Sequence, residues 1–239
     1  MEDSSAKSDA SSVTFTLAGA RRGAVVCLPL ALASIAFGLG FGILARDTGL
    51  GLVQALGMSA FVFAGASQMV AMDVWTVPPA VLGLAVAAFA INIRHVVMGA
   101  ALRPWLRDLP LLQSHAALTF MTDANWAQAM ADRRKGERDA AFIVGSGAIM
   151  WVGWVCGTGI GHLAGGVIGD PKAFGIDVIV PAFFALTLSS LWPGVRRLHP
   201  WLAAAVAAVL AHELMPGGAW HVVVGGLVGA TVGGLMRED

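Results

Sequence analysis

The chain has 239 residues, of which 57% are hydrophobic and 13% are charged, and its formal net charge is zero. A soluble domain carries about 25% charged residues, so this composition is typical of a membrane protein. The balanced charge also leaves no basic footprint of the kind that binds nucleic acid.

Eight apolar segments predict helical spans, because a bilayer core needs about 20 apolar residues per helix. They follow a tail, residues 1–17, whose polar, Ser-rich sequence predicts disorder. The segments are 23–45, 50–72, 79–102, 110–131, 140–165, 175–192, 200–213 and 218–236. The seventh is short and ends before Pro216-Gly217-Gly218, so a re-entrant turn there would leave seven spans. The prediction is an all-α polytopic membrane protein with one transmembrane domain, residues 18–236.

The Lys and Arg residues predict how this domain is oriented. With eight spans and the N-terminus inside, the inner segments carry Lys7, Arg21, Arg22, Arg133, Arg134, Lys135, Arg138, Arg196, Arg197 and Arg237. The outer loops carry Arg46, Arg103, Arg107 and Lys172. The excess on the inner side predicts that both termini are cytoplasmic.

Two similar stretches suggest an internal repeat. Residues 40–45 read GFGILA at the end of the first span, and residues 159–164 read GIGHLA at the end of the fifth. Transporters are often built from two such halves with broken or short helices at the site between them. The predicted repeats are residues 20–131 and 140–236, although Gly-rich helices also resemble each other by composition alone.

The third span carries the strongest functional signal, the block Asn92-Ile93-Arg94-His95 within an otherwise apolar stretch. A central Arg costs about 2.5–3.5 kcal/mol to insert, so such residues usually face a protein interior or a wet cavity. Arg94 cannot lose its charge and needs a partner. Asp123 in the fourth span lies at a similar expected depth, so we predict that the two share an electrostatic network. That pair can also serve helix packing alone.

Other polar side chains in the spans complete the candidate site. His95 is the natural proton carrier, because an unperturbed His titrates near pH 6.5; a hydrogen-bonded interior His is the alternative. Ser67 and Gln68 in the second span can bind an amino or carboxyl group, or simply link helices. No His/Cys cluster has metal-ligand spacing and no phosphate-binding loop is present, so we predict no metal and no cofactor.

These blocks resemble one family. Residues 61–68 (FVFAGASQ), Asn92-x-Arg94-His95 and Thr122-Asp123, with their spacing, are similar to the AzlC/YgaZ family of branched-chain amino acid exporters. The resemblance implies the large permease subunit of a bacterial inner-membrane exporter for Leu, Ile, Val and similar apolar amino acids. It also implies a small membrane partner of the AzlD/YgaH type. It implies no catalytic residue, and the chain departs from the family's pattern at Asn125.

In that reading, Ser67, Gln68, Asn92, Arg94 and Asp123 bind the substrate, and His95 and Asp123 couple transport to an ion or proton gradient, since no nucleotide motif exists. Two other functions stay open at this point. One is a membrane scaffold or assembly protein without transport of its own. The other is an intramembrane serine hydrolase with Ser67 as nucleophile and His95 as base. The G-x-S-x-G motif of such a nucleophile requires Gly at position 69, where this chain has Met69.

Overall fold

The computed structural model describes residues 13–76, 78–166, 185, 198–214 and 220–236. The predictions for residues 1–12, for the sixth span and for the turn at Pro216 fall outside these residues. The described helices are α1 Leu17–Val26, α2 Leu28–Asp47, α3 Leu52–Val62, α4 Gly65–Asp73, α5 Val81–Asn92, α6 Arg94–Leu106, α7 Leu111–Thr119, α8 Asp123–Arg134, α9 Ala141–Ala164, α10 His199–Leu214 and α11 Trp220–Leu235. The all-α membrane class is confirmed.

Helix α9 is the central element, and α1 and α2 run parallel to it. Along α9 the glycines Gly153, Gly157 and Gly161 recur every four residues, and each meets the backbone of Ala31, Ile35 and Leu39 in turn. A methyl group at Gly161 would overlap the Leu39 carbonyl. Small residues at this spacing let membrane helices approach closely. The 24 residues of α9 rise about 36 Å, enough to cross a bilayer.

Contacts at the ends of α9 define two faces of the molecule. At its start, the Trp105 indole donates to the Arg138 carbonyl at 2.9 Å, and the Thr14 amide donates to the same carbonyl at 3.2 Å. We call this the N-terminal face. At the other end, His162 Nε2 contacts the Leu50 carbonyl at 2.8 Å, which marks the distal face. The helix pair α5–α6 therefore runs from the distal face back to the N-terminal face.

The predicted second span, residues 50–72, is not a crossing helix. Helix α3 leaves the distal face and runs antiparallel to α9, where the Trp151 indole donates to the Ala60 carbonyl at 3.0 Å. The chain then turns at Phe63, and α4 returns to the distal face, where Thr48 Oγ1 lies 3.5 Å from Met72 Sδ. We call α3 and α4 hairpin 1. Its 11-residue arm α3 reaches about 16 Å, half of a bilayer core.

The predicted fourth span, residues 110–131, folds back in the same way from the other face. The Ser114 hydroxyl donates to the Leu106 carbonyl at 2.9 Å, so α7 starts at the N-terminal face. After a turn at residues 120–122, α8 runs beside α6 in the same direction, and Arg133 lies 5.9 Å from the Trp105 ring. We call α7 and α8 hairpin 2.

These hairpins correct the predicted topology. Within the described residues, three helical segments are long and apolar enough to cross a membrane, namely Leu28–Asp47, Val81–Leu106 and Ala141–Ala164. Each of the first two is followed by a hairpin that enters from the face it has just reached. Gly65 and Asp123, the first residues of α4 and α8, are 58 residues apart. Residues 28–73 and 86–131 thus form two units of opposite orientation, a different division from the predicted halves at 20–131 and 140–236.

The corrected topology also places two positive charges on the opposite face from the predicted one. Arg103 and Arg107, expected in an outer loop, lie on the N-terminal face. That face then carries Arg21, Arg22, Arg103, Arg107, Arg133, Arg134, Lys135 and Arg138, whereas in the described segments of the distal face Arg46 stands without another Lys or Arg. By the positive-inside rule this distribution favours a cytoplasmic N-terminal face, which stays a prediction. Beyond the gap in the described residues, α10 and α11 pack antiparallel, with Gly225 and Gly229 against Ala208 and Ala204.

Candidate functional site

A cavity of about 500 Å³ lies where the two hairpin tips meet the junction of α5 and α6. It is open to one side, and its walls expose polar and apolar surface in nearly equal parts. It is lined by Val62, Phe63, Ala64, Asn92, His95, Val96, Gly99, Leu118, Thr119 and Met121. Ligand sites of membrane transporters are commonly built in this way, at the interface of two inverted units with discontinuous helices. The tip of hairpin 1 contacts Trp154 of α9 and the turn of hairpin 2 contacts Ile143 and Gly147, so the cavity lies between the two faces.

The tip of hairpin 1 exposes a helix N-terminus without a side-chain cap. Phe63 ends α3 in the left-handed conformation with φ of 42°, and Ala64 precedes α4. That conformation costs a non-glycine residue about 1–2 kcal/mol. Ala64 has no side chain that can accept from the first turn, so the amides of Gly65, Ala66 and Ser67 lack an intrahelical partner. The positive end of the α4 dipole therefore points at the cavity.

The tip of hairpin 2 is capped and fully packed. Thr122 and Asn125 form a reciprocal capping box in which the Thr122 amide donates to Asn125 Oδ1 at 2.7 Å. The Asn125 amide nitrogen Nδ2 donates to the carbonyls of Phe120 at 2.8 Å and Ile143 at 3.2 Å, and its side chain is 0% exposed. Asn125 was the position where the sequence departs from the family's pattern; here it fixes the tip rather than lining the cavity.

Asn92 joins the α5 terminus to hairpin 1. Its Nδ2 donates to Ser67 Oγ at 3.1 Å, and the Ser67 hydroxyl donates to the Ala64 carbonyl at 2.9 Å. Asn92 lines the cavity, and its Oδ1 is a buried acceptor with no hydrogen-bond partner among the described residues. Ser67 lies behind Asn92 and is not part of the cavity lining.

Gln68 lies away from the cavity, in a buried polar chain between hairpin 1 and α9. Its Nε2 lies 3.4 Å from Ser59 Oγ, and Ser59 Oγ lies 2.7 Å from Thr158 Oγ1. All three side chains are 0% exposed. The predicted position of Gln68 in a substrate pocket is therefore not reproduced in this conformation, and the contacts match the alternative of interhelical hydrogen bonding.

The predicted electrostatic network of Arg94 and Asp123 is present as an ion pair. Arg94 Nη2 lies 2.9 Å from Asp123 Oδ2, with the side chains 33% and 26% exposed. Asp123 is also the first residue of α8, where a carboxylate interacts favourably with the helix dipole. The two charges border hairpin 2 but do not line the cavity, and Arg94 Nε is buried without a partner in the described part of the chain.

His95 lines the cavity between the two tips. Its Nδ1 lies 3.2 Å from the Asn92 carbonyl, and because a carbonyl can only accept, Nδ1 carries the proton in this hydrogen bond. This leaves Nε2 as the nitrogen that can accept a proton. The Ser67 hydroxyl bonds to Asn92 and Ala64 instead of to His95, so the nucleophile and base of a serine hydrolase are not assembled here.

Sequence reasoning found Asn92 and His95 but missed several residues of the cavity lining. Val62, Leu118 and Met121 are apolar, and only the fold of the two hairpins places them at the cavity. One signal was available: Thr122-Asp123-Ala124-Asn125 places a capping residue and its partner three residues apart, which is typical of a helix start rather than of mid-span.

These features define an all-α membrane protein with a central cavity between two oppositely oriented hairpins. The chain belongs to the AzlC family, because the family model described as AzlC protein matches residues 29–168. The chain is 27% identical over 190 residues to "Inner membrane protein YgaZ" of Escherichia coli, which covers 77% of each chain.

Two further relatives are similar along most of their length. One, from Archaeoglobus fulgidus, has the name "Uncharacterized membrane protein" and is 28% identical over 220 residues, 91% of this chain and 95% of the relative. The other, of the same name from Helicobacter pylori, is 24% identical over 187 residues, 74% and 78% of the two chains. No solved structure matches the chain significantly.

Proposed function

We propose that this chain is the permease subunit of an inner-membrane exporter for branched-chain and other apolar amino acids. The observation that carries the proposal is the cavity between two hairpins of opposite orientation. In our proposal the two sides of the cavity open in turn, so that the site is reached from one face at a time, as in other transporters with inverted units. Its family membership and its kinship with an inner membrane protein support the same class.

The cavity suits an apolar zwitterion. Val62, Phe63, Val96, Leu118 and Met121 supply apolar walls for an aliphatic side chain. The free amides at the start of α4 suit the carboxylate, and the unpartnered Asn92 Oδ1 suits the ammonium group. Arg94 and Asp123, which the sequence analysis placed among the substrate-binding residues, neutralise each other in this conformation. In our proposal they act on the substrate only after the ion pair separates.

We further propose that a proton gradient drives export and that His95 and Asp123 couple proton movement to the movement of the substrate. His95 faces the cavity with Nε2 free to take a proton, and protonation of Asp123 would release Arg94. The small membrane partner, of the AzlD/YgaH type, is likewise a proposal that rests on the family resemblance.

The test is efflux from cells or vesicles preloaded with labelled leucine, run with and without a small companion subunit. We expect efflux of leucine and valine, but not of glutamate or lysine, that stops when the proton gradient is collapsed. No efflux of any apolar amino acid by an inserted protein would refute the proposed substrate class.

The chain offers a matched pair of histidines for the coupling step. His95→Gln should slow proton-driven efflux by about tenfold or more. His115 makes the same kind of bond, with Nδ1 2.7 Å from the Leu111 carbonyl, but lies exposed outside the cavity. His115→Gln should therefore leave efflux unchanged, and equal effects of the two substitutions would contradict the assignment of His95.

A further inference from the structure

Each hairpin separates the cavity from one face of the molecule. Hairpin 1 lies between the cavity and the distal face, and hairpin 2 lies between the cavity and the N-terminal face. The segment Asn92–Arg94 contacts both, because Asn92 bonds to Ser67 of hairpin 1 and Arg94 pairs with Asp123 of hairpin 2. Passage of a substrate from the cavity to either face requires one of these contacts to open.

The turn and the second arm of hairpin 2 are fixed by ion pairs and by the fully buried Asn125 side chain. Besides the ion pair to Arg94, the Asn125 side chain is bonded to both sides of its own turn and to Ile143 of α9. A Cβ atom on Gly147 would overlap the Phe120 carbonyl, so the backbone of the turn lies directly against α9. Its second arm is also anchored at the base, where Arg22 lies 3.3 Å from Asp132.

The two arms of hairpin 1 differ in their contacts with the rest of the molecule. Its first arm, α3, is bonded to α9 through Ser59 and Thr158 at 2.7 Å and through Trp151 and the Ala60 carbonyl at 3.0 Å. The side-chain contacts of its second arm, α4, are neutral and mostly long: 3.1 Å from Asn92 to Ser67, 3.4 Å from Gln68 to Ser59 and 3.5 Å from Thr48 to Met72.

The buried side chains of α4 are small or flexible. They cover most of the helix circumference and are Ala66, Ser67, Gln68, Met69, Ala71 and Met72. Methionine is flexible and tolerates repacking against a changed set of neighbours. The turn before α4 contains Phe63 in the left-handed conformation, so a change of its backbone angles towards an ordinary region relieves strain.

We propose that α4 is the moving gate of the distal face, pivoting at Phe63–Ala64 while α3 and hairpin 2 stay fixed. Opening breaks the Asn92–Ser67 hydrogen bond, leaves the Asn92 side chain without its partner and connects the cavity to the distal face. The inference rests on the proposed export function for its role, but the motion itself is defined by the contacts of α4.

The first test locks each hairpin in turn. In a chain with Cys27 and Cys156 replaced by Ala, the pair Thr48→Cys and Met72→Cys is joined by a short, reducible bis-methanethiosulfonate linker. Both positions lie outside the cavity lining. The matched pair is Arg22→Cys and Asp132→Cys, which ties the second arm of hairpin 2 to α1.

Linking α4 should lower leucine efflux by about tenfold or more, with recovery on reduction, because a gate that cannot open stops release. Linking hairpin 2 should change efflux by less than about twofold relative to the reduced form of the same variant. Undiminished efflux with α4 linked, or an equal loss in both linked variants, would overturn the proposal.

The second test needs no transport. The Gln68 amide donates to the Ala64 carbonyl at 2.9 Å, and the Trp126 amide donates to the Thr122 carbonyl at 2.9 Å. They are the equivalent first bonds of α4 and α8. In the purified full chain, hydrogen exchange read by mass spectrometry should be faster at Gln68 than at Trp126 by about tenfold or more. Equal or reversed protection would refute a moving α4, whereas absence of leucine efflux from the unlinked protein would refute only the export function.

Discussion

Removing one charge of the Arg94–Asp123 pair tests whether it is an energetic link or an incidental contact. Asp123→Asn keeps the shape of the side chain but leaves Arg94 charged, with its Nε already unpartnered among the described residues. Breaking a fully buried pair costs about 3–5 kcal/mol. With the side chains 33% and 26% exposed, solvent compensates part of this loss, and we expect about 2–3 kcal/mol.

The assay is the thermal unfolding midpoint of the purified protein. For a chain of this size 1 kcal/mol corresponds to about 2–4 °C, so Asp123→Asn should lower the midpoint by roughly 5–10 °C. The double variant Arg94→Gln with Asp123→Asn removes both charges and should recover most of that loss, with a coupling energy of about 1–3 kcal/mol.

Leucine efflux then separates packing from function. A double variant that is stable but inactive would assign the charges to transport, and one that is stable and active would assign them to helix packing alone. The reasoning itself is refuted if Asp123→Asn leaves the midpoint unchanged, or if the two substitutions lower it by the sum of their separate effects.

Three further predictions concern the fold. Single cysteines at Asp108 and Thr76 should be labelled from the cytoplasm and from outside, respectively; the reverse pattern is expected if residues 50–72 and 110–131 cross the membrane. Asn125→Ala should lower stability by about 3 kcal/mol, because it leaves two buried carbonyls and the start of α8 unpaired, and an unchanged unfolding midpoint would contradict the packing of this tip. Gly147→Ala should lower the unfolding midpoint by displacing the Phe120 carbonyl, whereas Gly159→Ala, whose nearest neighbour is Leu56 at 3.5 Å, should change it little; similar midpoints for both would refute the close approach.

The sequence was sufficient to predict the membrane class and the polar segment at residues 92–95, but not the direction of the chain between them. Hydropathy measures the length of an apolar run, and α3 with α4 has the same length as one crossing helix. The turn at Phe63–Ala64 contains neither Pro nor Asn, and its first residue is an aromatic in a conformation that sequence rules assign to glycine. Tertiary contacts with α9 determine this turn, and they are not visible in a local pattern.

The predicted ion pair is present in the structure, but the geometry that produces it differs from the one that we expected. Arg94 and Asp123 were expected at similar depth because both were counted from the loop at residues 103–110 in antiparallel spans. In the structure Asp123 starts α8, which leaves the tip of hairpin 2 beside Arg94 and runs along α6. The pairing is correct, but it arises because the turn of hairpin 2 meets the junction of α5 and α6, not because two crossing helices lie side by side.

The difference in charge between the two hairpin tips determines how a zwitterionic substrate is oriented in the proposed site. Two helices begin at these tips, and each brings the positive end of its dipole. At α8 that end is met by Asp123 and the Thr122 cap, so it is already compensated. At α4 no acidic residue or side-chain cap is present, and the positive end at the cavity stays uncompensated.

A bound zwitterion should therefore place its carboxylate towards hairpin 1 and its ammonium towards Asn92. Because we propose that α4 pivots at Phe63–Ala64, the amides that recognise the carboxylate lie beside the pivot and stay near the site, whereas the axis of the α4 dipole changes direction when the distal face opens.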